Sequence, residues 1–243
     1  MSSETDPPSS DDAVRDPPRT SPARKVSGRT PESYTWPLVA IVVVILPQVL
    51  VPSNRRVGPP LLVPLVEAAA FLAMLVIAAK PGPVPRGARP FVLSLFCLLI
   101  LANAAATIRL VLLVLDGGKV DGAALSANRL LIAGALVLST NVITFALLYW
   151  QLDGGGPAGR VAEPVTYPDF QFPQTATSGL AEPGWQPRFH DYLYLAFTSA
   201  LAFSPTDTLP LVGRAKGLMA MQSVISLSVL VVVLARVINI LPS

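Results

Sequence analysis

One cysteine and one histidine stand in 243 residues, and that scarcity excludes much. Cys97 has no partner for an intramolecular disulfide. His190 has no second histidine to share a metal, so neither a metal nor a cofactor is expected. No nucleophile stands beside a base, and no two carboxylates are spaced for acid–base work, so the chain does not read as an enzyme. Charge is scarce as well: Asp, Glu, Lys and Arg make up 14% of the residues, well below the roughly 25% of a soluble domain. The formal net charge is only +3, with no basic stripe interleaved with aromatics, and this excludes a nucleic-acid partner. The stretch from Met1 to Ser33 has no apolar core, so no cleavable signal peptide is expected there. Rich in Pro, Ser, Thr, Asp and Arg, it reads as a disordered tail.

What the chain does have is apolar sequence in long runs. Hydrophobic residues make up 52% of it and the mean hydropathy is +0.56, and the clumping of these residues decides the class. A helix needs roughly 20 mostly apolar residues to cross the hydrocarbon layer. Spans are expected over Trp36–Val51, Leu61–Ala79, Phe91–Leu115, Asn128–Trp150 and Gly213–Leu241. Pro47 is expected to kink the first span, and Trp36 and the pair Tyr149-Trp150 to lie at interfaces. The apolar piece Tyr192–Phe203 is too short to cross, and reads as a re-entrant half-helix; a sixth span over His190–Ser204 is the alternative. The fold class is therefore an all-α membrane protein with about five transmembrane helices and a half-helix before the last. Its divisions are a tail (1–33), a four-helix region (34–150), a Gly/Pro-rich loop (151–190) and a C-terminal hairpin (191–243). The lipid bilayer is its first partner. The run Gly154-Gly155-Gly156-Pro157 lacks the Gly-Lys-Ser/Thr ending of a phosphate cradle and reads as a flexible connector.

Orientation follows from basic residues in short loops. The tail carries Arg15, Arg19, Arg24, Lys25 and Arg29, and the loop after the second span Lys80, Arg86 and Arg89. The opposite loops carry only Arg55 and Arg56, then Lys119 and Arg129. The N-terminus is expected in the cytoplasm and, with five spans, the C-terminus outside. Within the spans, Glu67 and Arg109 count out to similar depth and form a candidate intramembrane pair, structural or proton-conducting, with separate snorkelling to the nearby headgroups as the alternative. Asn103 and Asn141 are expected to bond between helices.

The C-terminal stretch from Phe189 to Leu241 runs in the order short aromatic helix, polar strip, Asp207, proline, full span. That order resembles the pore module of two-transmembrane potassium channels, with the fourth span as outer helix and Gly213–Leu241 as inner helix. The resemblance implies a pore loop at Thr198, Phe203, Ser204, Pro205, Thr206 and Asp207, and a homo-oligomer if the pore lies between subunits. A potassium filter needs alternate glycines, and none occurs between Gly184 and Gly213, so potassium selectivity is not expected. The stretch Asp191-Tyr192-Leu193-Tyr194-Leu195-Ala196-Phe197-Thr198 through Phe203 and Asp207 is also similar to a family of uncharacterised bacterial integral membrane proteins. Phe145–Tyr149 and Asp169-Phe170-Gln171-Phe172-Pro173 extend the likeness over roughly the last 100 residues. Where that family has Gly-Met-Thr, this chain has Ala200-Leu201-Ala202. The family implies a multi-pass protein of the bacterial plasma membrane, with no established activity. A structural or accessory membrane protein and a small secondary transporter are the competing readings. Inverted repeats, which would favour a transporter, are not seen.

Overall fold

The computed structural model describes residues 32–50, 62–79, 88–116, 119–120, 123–124, 126–162, 167–177, 179–182, 184–201 and 207–240. The tail up to residue 31, the loop residues Arg55, Arg56, Lys80 and Arg86, and Phe203, Ser204, Pro205 and Thr206 of the expected pore loop lie outside the described residues.

The long apolar runs are helices: α1 (Thr35–Leu50), α2 (Leu62–Ala79), α3 (Ala88–Leu115), α4 (Ala127–Leu152) and, last in the chain, α8 (Gly213–Ile240). Runs such as Ala40-Ile41-Val42-Val43-Val44 and Val231-Val232-Val233 would favour strand in water. In an apolar solvent a lone segment satisfies its own backbone groups only as a helix, and that requirement outweighs the β-branched preference. Helix α1 continues through Pro47 to Leu50. Ser126 caps α4, its hydroxyl accepting from the Arg129 amide at 3.4 Å. Three helices, Ala88–Leu115, Ala127–Val161 and Gly213–Asn239, are long and apolar enough to cross a membrane; Thr35–Pro47 and Leu65–Ala79 are shorter apolar helices. Large apolar side chains also face outward along all five, among them Val43, Leu72, Leu101, Leu131 and Val231.

Helix α4 is the hub. From Thr144 to Gln151 every residue is buried, covered by α1, α3, α7 (Phe189–Leu201) and α8. Tyr149 and Trp150, expected at an interface, lie in the core at this end of α4: both are fully buried. The Trp150 ring meets Tyr34 at the start of α1 edge-on, at 5.1 Å between centroids, and Phe189 at the start of α7 at 6.0 Å. Arg89, at the start of α3, donates to the Gln151 and Leu152 carbonyls at 3.4 and 3.5 Å. The C-terminus of α4 and the N-termini of α1, α3 and α7 thus gather at one end, called here the near end. Helix α8 runs antiparallel to α4: Asn141 faces Ser226, and Gly134 lies against Val233 so closely that a Cβ there would sit 2.8 Å from the valine Cγ2.

The segment after α4 is not the flexible connector the glycines suggest. Gly154, Gly155 and Gly156 take φ values of 57°, 83° and 81°, which suit glycine best. They form a tight turn over Asp153–Gly155 that folds α5 (Gly156–Ala162) back against the end of α4. Farther on come β3 (Phe170–Gln171) and a one-turn helix α6 (Pro173–Ala176). A pair of two-residue strands, β1 (Lys119–Val120) and β2 (Ala123–Ala124), closes the α3–α4 loop. After α7 the chain returns as β4 (Leu209–Pro210), which pairs antiparallel with β3, and the Leu211 amide donates to the Asp169 carbonyl at 2.8 Å. Helix α7 thus begins at the near end, and the chain that follows it comes back to that end before α8 starts.

Candidate functional site

Helix α7 has 13 residues and so is about 20 Å long. A short helix buried in a bundle needs partners for the amides at its start. Asp191 supplies one, its carboxylate accepting from the Arg188 amide at 2.7 Å. Glu32 supplies the other. Its Oε1 accepts from the Phe189 amide, while Oε2 accepts from the Trp150 indole at 2.7 Å and from Arg160 at 3.4 Å. One carboxylate, just ahead of α1, thereby joins α4, α5 and α7. Burial, and after it the Glu32 carboxylate, push the Tyr34 hydroxyl above its ordinary range, so it stays neutral.

Arg160 is itself buried, 4% exposed, which demands full pairing of its charge. Besides Glu32, it donates to the Trp150 and Asp153 carbonyls at 2.8 Å each, satisfying acceptors that the end of α4 leaves open. A cation there also complements the negative end of the helix dipole. Its guanidinium lies 5.2 Å from the centre of the Tyr192 ring. Asp153 closes the other side. It accepts from the Tyr192 hydroxyl at 2.6 Å and from the Asp169 and Phe170 amides at 2.7 and 3.3 Å.

Halfway along α7 the lock is Gln222 of α8, fully buried. Its Oε1 accepts from the Tyr149 hydroxyl on α4 and its Nε2 donates to the Ala196 carbonyl on α7, both at 2.7 Å. One turn on, the Ser223 hydroxyl donates to the Ser199 carbonyl at 3.1 Å. At the return, Asp169 holds Arg214 in a two-pronged ion pair, with Nη2 at 2.8 Å from Oδ2. Helix α7 is therefore fastened at its start, its middle, its tip and its return.

Two of the expected pore-loop residues can be placed. The Thr198 hydroxyl bonds back to its own helix, to the Tyr194 and Leu195 carbonyls at 3.0 and 3.1 Å. Asp207 is exposed, just before β4. The outward face of α7 carries Tyr194, Phe197 and Leu201.

The structure does not bring Glu67 and Arg109 together. Glu67 is buried beside Phe96, Leu99 and Thr144, lining a small cavity between α1, α2, α3 and α4. Arg109 is exposed and lies ten residues beyond Leu99 on α3, about 15 Å farther along the axis. A double-mutant cycle on Glu67→Gln and Arg109→Gln, read by unfolding in detergent, is expected to show coupling below about 0.5 kcal/mol. Coupling above about 1 kcal/mol would restore the pair. Asn141 does bond between helices, donating to the Ser226 hydroxyl at 2.8 Å and the Gln222 carbonyl at 3.3 Å.

The residues that fasten α7 were not those the sequence suggested. Gln222 had a usable signal, an amide inside an apolar run. Glu32, Asp153 and Arg160 had none, because their roles depend on the turn at the end of α4. Among the described residues, no group of three or more His, Cys, Asp or Glu could hold a metal. Comparison with family models, curated proteins and solved structures gives no match for this chain.

Proposed function

We propose that this chain is a multi-pass plasma-membrane protein with five spans, α1–α4 and α8, in which α7 is a re-entrant half-helix. It acts as a channel-like protein without potassium selectivity. The observation that carries this reading is the pairing of Phe170–Gln171 with Leu209–Pro210, which ties the two flanks of α7 at one end of the bundle. A single crossing would leave them at opposite ends. The order α4, half-helix, α8, with the half-helix wedged between two long antiparallel helices, also matches the layout of a two-transmembrane pore module. Basic residues at the near end, Arg89, Arg160, Arg188, Arg214 and Lys216, add to those of the tail and support a cytoplasmic near end. The half-helix then enters from the cytoplasmic side, the reverse of a potassium channel. Irregular backbone at membrane depth is tolerated where protein packs against it, and α4 and α8 pack against the inner face of α7.

Two measurements test the reading. Reporter fusions at Ser33 and Ser243 are expected on opposite sides, with Ser33 inside; same-side reporters would exclude five spans. Vesicles reconstituted with the purified chain are expected to pass water and small neutral polar solutes faster than protein-free vesicles, with no preference for K⁺ over Na⁺, since no glycine-lined carbonyl filter selects between them. Rates equal to those of empty vesicles would contradict a channel. The close fastening of α7 would then favour the accessory reading, in which the half-helix only packs the bundle.

A further inference from the structure

Below the tip of α7, four buried side chains carry a polar atom that no described group satisfies: Ser199 Oγ, Asn141 Oδ1, Asn103 Nδ2 and Thr107 Oγ1. All four residues are at most 4% exposed. Ser199 and Asn141 share one turn of α8. The Ser199 carbonyl takes the Ser223 hydroxyl, and Asn141 donates to Gln222 and Ser226. Both hydrogens of the Asn141 amide are spent on those two bonds, so its oxygen can only accept. Asn103 and Thr107 continue on α3. Arg89 lies level with the end of α4, and counting from there sets Asn103 about 5 Å farther toward the far end than Asn141. Thr107 follows one turn on, about 6 Å beyond. Both belong to the buried stripe of α3 that ends at Leu110.

At Leu110 the character changes. Leu110, Leu130, Ala133, Val229, Val233 and Val237 form a separate apolar cluster where α3, α4 and α8 meet. Counted along the bundle axis, Asn103 and Thr107 thus follow the level of Ser199 and Asn141 at intervals of about 5 and 6 Å, and the series stops at a dry plug.

We propose that Ser199, Asn141, Asn103 and Thr107 hold a file of water molecules inside a single chain, closed at the far end by the Leu110 plug. The inference rests on the channel-like reading and names its path and its species. Every group on the file is neutral, so nothing there compensates an ion's charge, whereas water can both donate and accept. A buried water typically makes two to four hydrogen bonds, and successive orphan atoms together with Ser226 Oγ supply donors and acceptors in that number.

The test uses the full chain in lipid discs, with Cys97→Ser as background. Ser199→Cys and Thr107→Cys change little in size. With methyl methanethiosulfonate both are expected to react about tenfold faster than Leu101→Cys, because only a hydrated thiol ionises to the reactive thiolate. Leu101 faces outward from α3 and serves as the dry control. Adding Asn103→Leu should slow Thr107→Cys severalfold and leave Ser199→Cys unchanged, the latter reporting that the bundle is intact. Thr107→Cys reacting at the Leu101→Cys rate, or indifferent to Asn103→Leu, would overturn the file. Solute flux in vesicles with a dry Thr107 would sink the file and keep the channel. A wet Thr107 with no flux would keep the file and sink the channel.

Discussion

Replacing Arg160 by methionine is expected to destabilise the protein by about 3–5 kcal/mol, the usual cost of removing one member of a buried ion pair. Methionine preserves much of the packing volume, so the loss reads chiefly the charge and its bonds. The change strips Glu32 of its cation and leaves the Trp150 and Asp153 carbonyls without a donor. Glu32 would still accept from Trp150 and the Phe189 amide, which keeps it from being orphaned. The double variant Glu32→Gln, Arg160→Met is therefore expected to recover at least about 1 kcal/mol of the loss, because the remaining buried charge is gone. Unfolding midpoints in a mild detergent would measure both. A single-variant loss under about 1 kcal/mol would mean that the near-end network is solvated rather than buried.

The second large effect is at Gln222. Gln222→Leu is expected to cost about 1–3 kcal/mol, since the Tyr149 hydroxyl is left buried with no acceptor. Removing that hydroxyl as well, in Tyr149→Phe, should return most of the loss, because deleting both partners of a buried bond is nearly neutral. If the double variant is no better than Gln222→Leu alone, the bond to Ala196 on α7 carries the effect instead. Either result separates the contact with α4 from the contact with α7.

The contrast between these two sites shows how far the sequence could be read. Helix positions were legible from apolar run length alone: α2, α3 and α8 begin or end within a few residues of the expected spans. The short helix α7 was legible for the same reason: the apolar run Tyr192–Phe203 is brief, and the helix over it has 13 residues. Depth was not. Glu67 and Arg109 counted out to equal depth on the assumption that neighbouring helices share their ends. Helix α3 has 28 residues and α2 has 18, so α3 overhangs, and Arg109 rides on the overhang. The burial of Tyr149 and Trp150 was not legible either. Aromatic residues at a span end favour headgroups only if nothing covers them, and here the folded-back α5, Glu32 and α7 do. The Gly154–Gly156 turn concealed that fold-back, because glycine marks both loose linkers and tight left-handed turns.

The central claim is that α7 enters the bundle and returns on one side. Its most direct test places single cysteines at His190, at Asp207 and at Ser126 in a Cys97→Ser background. All three positions are exposed, the first two flanking α7 at the near end and the third capping α4 at the far end. An impermeant thiol reagent applied from each side of oriented membranes is the probe. The expected result is labelling of His190→Cys and Asp207→Cys from one face, and of Ser126→Cys only from the other. Labelling of His190→Cys and Asp207→Cys from opposite faces would contradict the claim and make α7 a crossing helix.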